Sequence, residues 1–278
     1  MLFKDSEVYN KEVEKFYDKR QLNHYVMSNT YSLCKTDVDL IKSIDFSIKN
    51  QKLYLTGYDF NVEKDGPTED IVVSKDGSFK AARKYKGKKI AVLNFANNHK
   101  VGGSPWSAGA QEETLCREST LFKCLEAMEE KYYKVHQDAF NQGKLDFMGN
   151  DDIIYTPEVC IFKSDESAPK LFNKEDIFKV DVITCAAPKI VSAVMLDQNY
   201  ENIIDSRIEA ILKSAKENNV EVLILGAFGC GAFSNPPEIV AKSFKKGLEK
   251  YHFEKVEFAV FCRYEFTNYE VFAEVFSK

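Results

Sequence analysis

The chain has 278 residues, 44% of them hydrophobic and 29% charged, with a formal net charge of −5. This composition supports one domain with a proper core; it excludes a disordered chain, and the broad basic face that direct, sequence-specific nucleic-acid binding would call for is not supported. Seven cysteines without a CxxC pair, and four histidines without ligand spacing, argue against a disulfide framework and a metal site, so neither metal nor cofactor is expected. No apolar stretch approaches the ~18 residues of a spanning helix. The N-terminus is charged from Lys4 onward, so the chain reads as intracellular, cytoplasmic or nuclear, without membrane attachment.

In chain order, Tyr9, Val13, Phe16 and Tyr17 fall at helical spacing and predict an amphipathic helix from about residue 6 to 20. Short β-rich runs follow at Gln51 to Gly57 and Asp70 to Ser74, separated by the turn-rich Lys64-Asp65-Gly66-Pro67. Residues 1–88 read as an N-terminal helical and β extension of the same domain, and 89–278 as its core. In that core, Ile90 to Phe95, Val180 to Ala187 and Val220 to Ala227 are nearly all apolar, as strands buried on both faces are. Helical patterns separate them at about 111 to 131, 201 to 218 and, after Pro236-Pro237, 238 to 250. A last strand, Val256 to Phe261, and a closing helix with Tyr269, Phe272, Ala273 and Phe276 complete the pattern. The segment from Lys134 to Thr156 reads as a long loop or insertion. Alternating strands and helices give an α/β class: a mixed or parallel sheet flanked by helices.

Two glycine-rich loops each follow a buried strand and lead into a helix. In open α/β sheets, ligands bind beyond the carboxyl ends of the strands, so both loops should face one crevice. The second loop places Gly226, Gly229 and Gly231 around Cys230, followed by Ala232, Phe233, Ser234 and Asn235. Its glycines let backbone N–H groups approach a pyrophosphate without any Lys or Arg; a merely tight strand-to-helix turn rarely needs three. Cys230 could carry a favoured thiolate if a helix starts beside it, but no His is placed by sequence to serve it. The first loop runs from Asn97 and Asn98 through Gly102, Gly103 and Ser104 to Gln111, Glu112 and Glu113 at an apparent helix start. Glycosidic cleavage needs a proton donor for the leaving oxygen and negative charge beside an oxocarbenium-like transition state, the usual work of Glu or Asp. Two acids in a first helical turn also have a bland explanation in the helix dipole.

Together these loops resemble the poly(ADP-ribose) glycohydrolase family of macrodomain-like enzymes, particularly the bacterial type. That family's catalytic loop is a triple glycine, then six to eight residues, then Gln-Glu-Glu; here Gly102-Gly103-Ser104 precedes Gln111-Glu112-Glu113 by six residues. Gly229-Cys230-Gly231-Ala232-Phe233 is similar to the macrodomain diphosphate loop, and Thr184-Cys185-Ala186-Ala187-Pro188 to a strand end of the same branch. The resemblance implies ADP-ribose, or poly(ADP-ribose) on modified proteins, as the partner. It implies Glu113 as catalytic acid, Glu112 with Asn97 or Asn98 fixing the distal ribose, and Phe233 packed near that ribose. Ser104 departs from the third glycine; if a left-handed backbone were needed there, its Cβ would cost about 1 kcal/mol. The rival readings are a macrodomain that binds ADP-ribose without cleaving it and a phosphate-loop nucleotide-processing enzyme.

Overall fold

The structure is a computed structural model that describes residues 6–197, 199–261 and 268–277. Its centre is a seven-stranded mixed sheet in the order β1-β4-β5-β3-β6-β7-β2. The strands are β1 (Lys52–Tyr54), β2 (Ile71–Ser74), β3 (Ile90–Phe95), β4 (Ile153–Ile161), β5 (Phe178–Cys185), β6 (Val222–Leu225) and β7 (Lys255–Ala259). β5, β3, β6, β7 and β2 run parallel, whereas β4 is antiparallel to both β5 and β1. The apolar runs read from the sequence are therefore central strands, and both β-rich runs of residues 1–88 join the sheet as its edges. Cys262 lies outside the described residues.

Both faces are covered, as a largely parallel sheet requires. On one side α8 (Tyr200–Glu217), α9 (Pro237–Leu248) and α10 (Asn268–Val275) bury Ile204, Ile208, Phe244 and Phe272. On the other, α4 (Ser78–Arg83), α5 (Gln111–Glu118) and α6 (Leu121–Glu126) bury Phe79, Leu115 and Leu121. A third apolar cluster ties the N-terminal helices to Phe162 and Leu171.

The N-terminal helix of the sequence reading is interrupted. α1 (Ser6–Glu12) gives way to a short 3₁₀ turn, and Asp18 then caps α2 (Lys19–Thr36), its carboxylate accepting from the Gln21 N–H at 2.7 Å. Asp37 repeats the device for α3 (Val38–Lys49), accepting from the Asp39 and Leu40 N–H groups. The helix expected over 111 to 131 is also broken. Ser119 turns extended and bridges to Ile161, while the Thr120 hydroxyl accepts from Cys160 N–H, so the chain leaves the helix to pair with the end of β4. A π-helical turn, Glu129–Tyr133, then leads into α7 (Lys134–Asn141).

The expected loop from 134 to 156 is corrected accordingly: it contains α7 and the start of β4. Pro157 and Glu158 interrupt β4, Glu158 with φ of 52° and a register shift between Thr156 and Val159. That bulge breaks the period-two pattern by which a strand is recognised.

Arg207 of α8 holds the following segment onto the sheet. It is 1% exposed, pairs through Nε with Asp151 at 2.7 Å, and donates to the carbonyls of Ala186 and Met148. Breaking a buried pair by removing one partner typically costs 3–5 kcal/mol; Asp151 keeps some solvent contact, so Arg207→Met should destabilise by about 3 kcal/mol in denaturant unfolding. Adding Asp151→Asn should recover part of that loss, and an unchanged midpoint for the single variant would show that the clamp contributes nothing.

Candidate active site

Because β5, β3 and β6 are adjacent and parallel, the segments after Cys185, Phe95 and Leu225 emerge at one end of the sheet. Phe95 and Phe228 touch edge to face across the two glycine loops, with ring centres 5.9 Å apart. A cavity of about 320 Å³ is lined by Asn97, Asn98, Phe147, Ala187, Lys189 and Phe233. The first loop meets Phe233 of the second across this cavity, whereas Glu112, Glu113 and the glycines of the second loop are not among its lining residues.

Gln111, Glu112 and Glu113 start α5 and point back at the loop that precedes it. Gln111 is a fastener: its carboxamide oxygen accepts from Phe95 N–H at 2.9 Å, and its NH₂ donates to Leu93 O at 2.7 Å and Ser78 Oγ at 3.0 Å. Glu112, 3% exposed, accepts from Asn97 N–H at 2.8 Å and from Asn94 Nδ2 at 3.3 Å. Glu113, 8% exposed, accepts from Ser104 N–H through Oε1 at 3.0 Å. Its Oε2 is buried without a hydrogen-bond partner. The two acids thus differ in what remains available: Glu112 has both oxygens engaged by the chain, and Glu113 has one free.

The loop glycines make this approach possible. Gly102 and Gly103 have φ of 60° and 66°. A Cβ on Gly103 would meet Glu113 Oε1 at 2.3 Å, and one on Gly102 would meet Phe122 Cδ2 at 2.8 Å and Cys116 Sγ at 2.9 Å. Ser104, in contrast, is not among the residues of positive φ, so its departure from glycine carries no left-handed strain. Its hydroxyl accepts from Lys100 Nζ at 2.9 Å. Arg117 donates to the carbonyls of Pro105 and Ala108 at 2.8 and 2.7 Å, and Asn23 of α2 donates to those of Ser107 and Ala108. The rest of the loop is therefore pinned from α5 and from the N-terminal extension.

The two asparagines part company. Asn97 Oδ1 closes a turn by accepting from His99 and Lys100 N–H, so that oxygen is committed to the loop, while Asn98 sits in the cavity wall. Burial, together with His136 and Lys189, holds the His99 imidazole below its ordinary range.

In the second loop Gly229 has φ of 72°, and a Cβ there would meet Asn235 Nδ2 at 2.4 Å. Gly226 is packed against Ala259 O. Gly231 is exposed, without positive φ and with no atom within 4 Å of a Cβ position, and Ala232 beside it is also exposed. Cys230 is no thiolate: burial pushes its thiol up to about 12, and α9 begins only at Pro237. Two residues that the sequence reading did not single out complete the frame. Asn235, 2% exposed, donates to Pro188 O and Gly229 O and accepts from Tyr200 OH. Asn94, fully buried, joins Glu112 to Thr184 Oγ1 at 3.2 Å. The available signal for Asn94 was a polar side chain inside an otherwise apolar strand.

Among the described residues there is no group of three or more His, Cys, Asp or Glu able to hold a metal ion, and no helix long and apolar enough to cross a membrane.

A mixed, largely parallel sheet that sets two buried carboxyls against a glycine-rich loop is an α/β site with the acid groups that glycosidic cleavage uses. Residues 19–164 match the family described as microbial-type PARG, catalytic domain. The chain belongs to that poly(ADP-ribose) glycohydrolase family. Its fold is similar to poly(ADP-ribose) glycohydrolase from Thermomonospora curvata, with TM-score 0.76 and 24% identity over 91% of this chain and 99% of that one. It is also similar to the Deinococcus radiodurans enzyme in complex with ADP-ribose, with TM-score 0.70 and 27% identity over 84% of this chain and 96% of that one. No curated protein sequence matches it.

Burial, with a smaller push from Glu113, raises the Glu112 carboxyl from near 4.5 to about 8, against the lowering effect of its donors. A folded-state value above the unfolded one means stability is fully present below about 4.5 and is lost as pH rises through about 8. Glu112→Gln should flatten that decline, since the Asn94 amide can turn to accept from the new NH₂. Thermal unfolding from pH 5 to 9 should show the variant gaining on the parent as pH rises, at ~2–4 °C per kcal/mol for a domain of this size. Parallel curves would mean that Glu112 is ionised in the fold.

Proposed function

We propose that this glycohydrolase cleaves the ribose glycosidic bond of poly(ADP-ribose) or ADP-ribosylated proteins, with Glu113 as the general acid. The observation that carries the assignment is the unpartnered Glu113 Oε2 beside an Oε1 fixed by the Ser104 N–H. A carboxyl so held presents one oxygen in a defined direction. That oxygen delivers its proton to the leaving oxygen as the C1–O bond breaks, and the resulting carboxylate takes a proton from the attacking water. Glu112, tied to Asn94 and Asn97, positions the ribose hydroxyls, with Asn98 and Phe233 along the same cavity. Gln111 acts through the protein as a positioning residue, because its amide groups already bond to β3 and α4.

ADP-ribose as ligand is supported by the D. radiodurans complex and by the T. curvata enzyme bound to the inhibitor ADP-HPD. In this chain the diphosphate would lie along Gly226, Gly229, Cys230, Gly231 and Ala232, where Gly231 presents an uncovered backbone. Residues 1–88 serve as an accessory part of the same domain, a role supported by Asn23 holding the catalytic loop and by β1 and β2 joining the sheet.

Glu113→Gln retains an acceptor for Ser104 N–H but cannot transfer a proton. It should bind ADP-ribose nearly as well as the parent while turnover on labelled polymer falls ~10²-fold or more. Near-parental release of ADP-ribose by the folded variant would remove Glu113 from the role, and a parent that binds ADP-ribose but cleaves nothing would make this a binding protein.

Gly231→Val should fold normally, since its Cβ meets nothing, and should lose ADP-ribose affinity in calorimetry because the side chain occupies the path of the phosphate oxygens. Unchanged affinity would move the diphosphate elsewhere.

A further inference from the structure

A second and larger cavity, of about 410 Å³, opens on the other side of the catalytic loop. Gly103 and Ser104 form one wall, and Trp106, Phe122 and Tyr133 supply aromatic surface. His99 and Gln137 line this cavity and also the smaller one that holds Asn98 and Phe233, so the two spaces adjoin along those residues. Any group leaving the ribose beside Glu113 must go where the catalytic loop lets it, and this cavity borders that loop.

We infer that this cavity is the leaving-group subsite and that it takes a nucleoside 5′-phosphate, the adenosine end of the neighbouring ADP-ribose unit. The inference rests on the glycohydrolase reading above and extends it to the substrate's other half. The volume falls in the 300–1,000 Å³ range of small-molecule pockets, and Trp106, half-buried and packed edge to face on Phe122, suits a base, because every base has a π-face to stack. Lys100 and Lys134 stand at the cavity as phosphate partners, Lys134 also pairing with Glu130. Lys100 is held by the Ser104 hydroxyl, and no ion pair to it occurs among the described residues.

Two acids also line the cavity: Glu126, engaged by Lys123 and accepting from Tyr31 OH at 3.2 Å, and Glu129, so the phosphate is placed on the Lys100 side. Tyr133 is 2% exposed, and its hydroxyl, beside the Gly102 amide, has no hydrogen-bond partner of ordinary geometry. Buried hydroxyls are normally satisfied. It sits on the π-helical turn Glu129–Tyr133, a rare element that is frequent at functional sites.

The test compares the parent with Trp106→Leu, Tyr133→Phe and Lys134→Ala. Leu keeps apolar packing against Phe122, and Lys134 is half exposed and peripheral, so its variant leaves the fold intact. The readouts are kcat and KM on purified poly(ADP-ribose), and the Kd of free ADP-ribose by calorimetry. The expected result for Trp106→Leu is a KM on polymer raised ~5-fold or more, the low end of losing one base-stacking face, with the Kd of ADP-ribose unchanged. Lys134→Ala should raise KM more at low salt than at high salt, as a phosphate contact does.

Polymer kinetics unchanged in all three variants would overturn the subsite. So would parallel losses in polymer KM and ADP-ribose Kd, since the cavity would then hold the released ADP-ribose itself. A parent that binds ADP-ribose yet cleaves no polymer would overturn the glycohydrolase reading first and the subsite with it, an outcome visible before any variant is made.

Discussion

The site depends on burying two neighbouring carboxyls at one helix start. A buried carboxylate without donors is costly, so the fold brings donors to it: Asn94 from near the end of β3, the Asn97 N–H from just past it, and the Ser104 N–H from the loop beyond. Each donor imposes a condition. Asn94 has to replace an apolar residue inside a central strand, and Gly103 has to lack a side chain because the Glu113 carboxyl occupies that space. The loop has to double back sharply, which Gly102 and Gly103 allow through their left-handed backbone.

The order of these supports explains why the two acids have different surroundings although they are adjacent in sequence. Neighbouring helical positions point about 100° apart, so Glu112 is directed at the strand end and Glu113 at the loop. The strand end supplies two donors and the loop supplies one. A single missing donor leaves Glu113 Oε2 without a partner in the protein, whereas both Glu112 oxygens are engaged.

Much of this was legible in the sequence, and the failures have physical causes. The central strands β3, β5 and β6 announced themselves as apolar runs, and the loop-to-acid spacing carried the family likeness. α2 and α3 went unread although Leu22/Val26 and Leu40/Ile44 stand at helical spacing behind Asp18 and Asp37 caps. β4 was hidden by Pro157 and Glu158, since a bulge erases alternation. The long helix over 111 to 131 was read through Ser119 and Thr120 because nothing local shows that β4 will claim those two residues. Ser104 illustrates the reverse error: a serine in place of glycine suggested strain, yet the third position of this loop needs an N–H and not a positive φ. Arg207 was invisible because its partners lie far away in the chain, and Asn235, although read as part of the second loop, showed no sign of the bonds to Pro188 and Tyr200 that make it a frame.

Both edges of the sheet come from the first seventy-five residues. β1 pairs with β4, and β2 pairs with β7, so Ile71 lies opposite Val256. A chain emerging from the ribosome presents its amino end first, at roughly 5–20 residues per second. β2 therefore waits without its neighbour until β7 has been made. Its shortness, four residues, limits what it can recruit meanwhile. That edge of the sheet is therefore made by two strands far apart in the chain, and their separation in synthesis order leaves β2 unpaired for longer than any central strand.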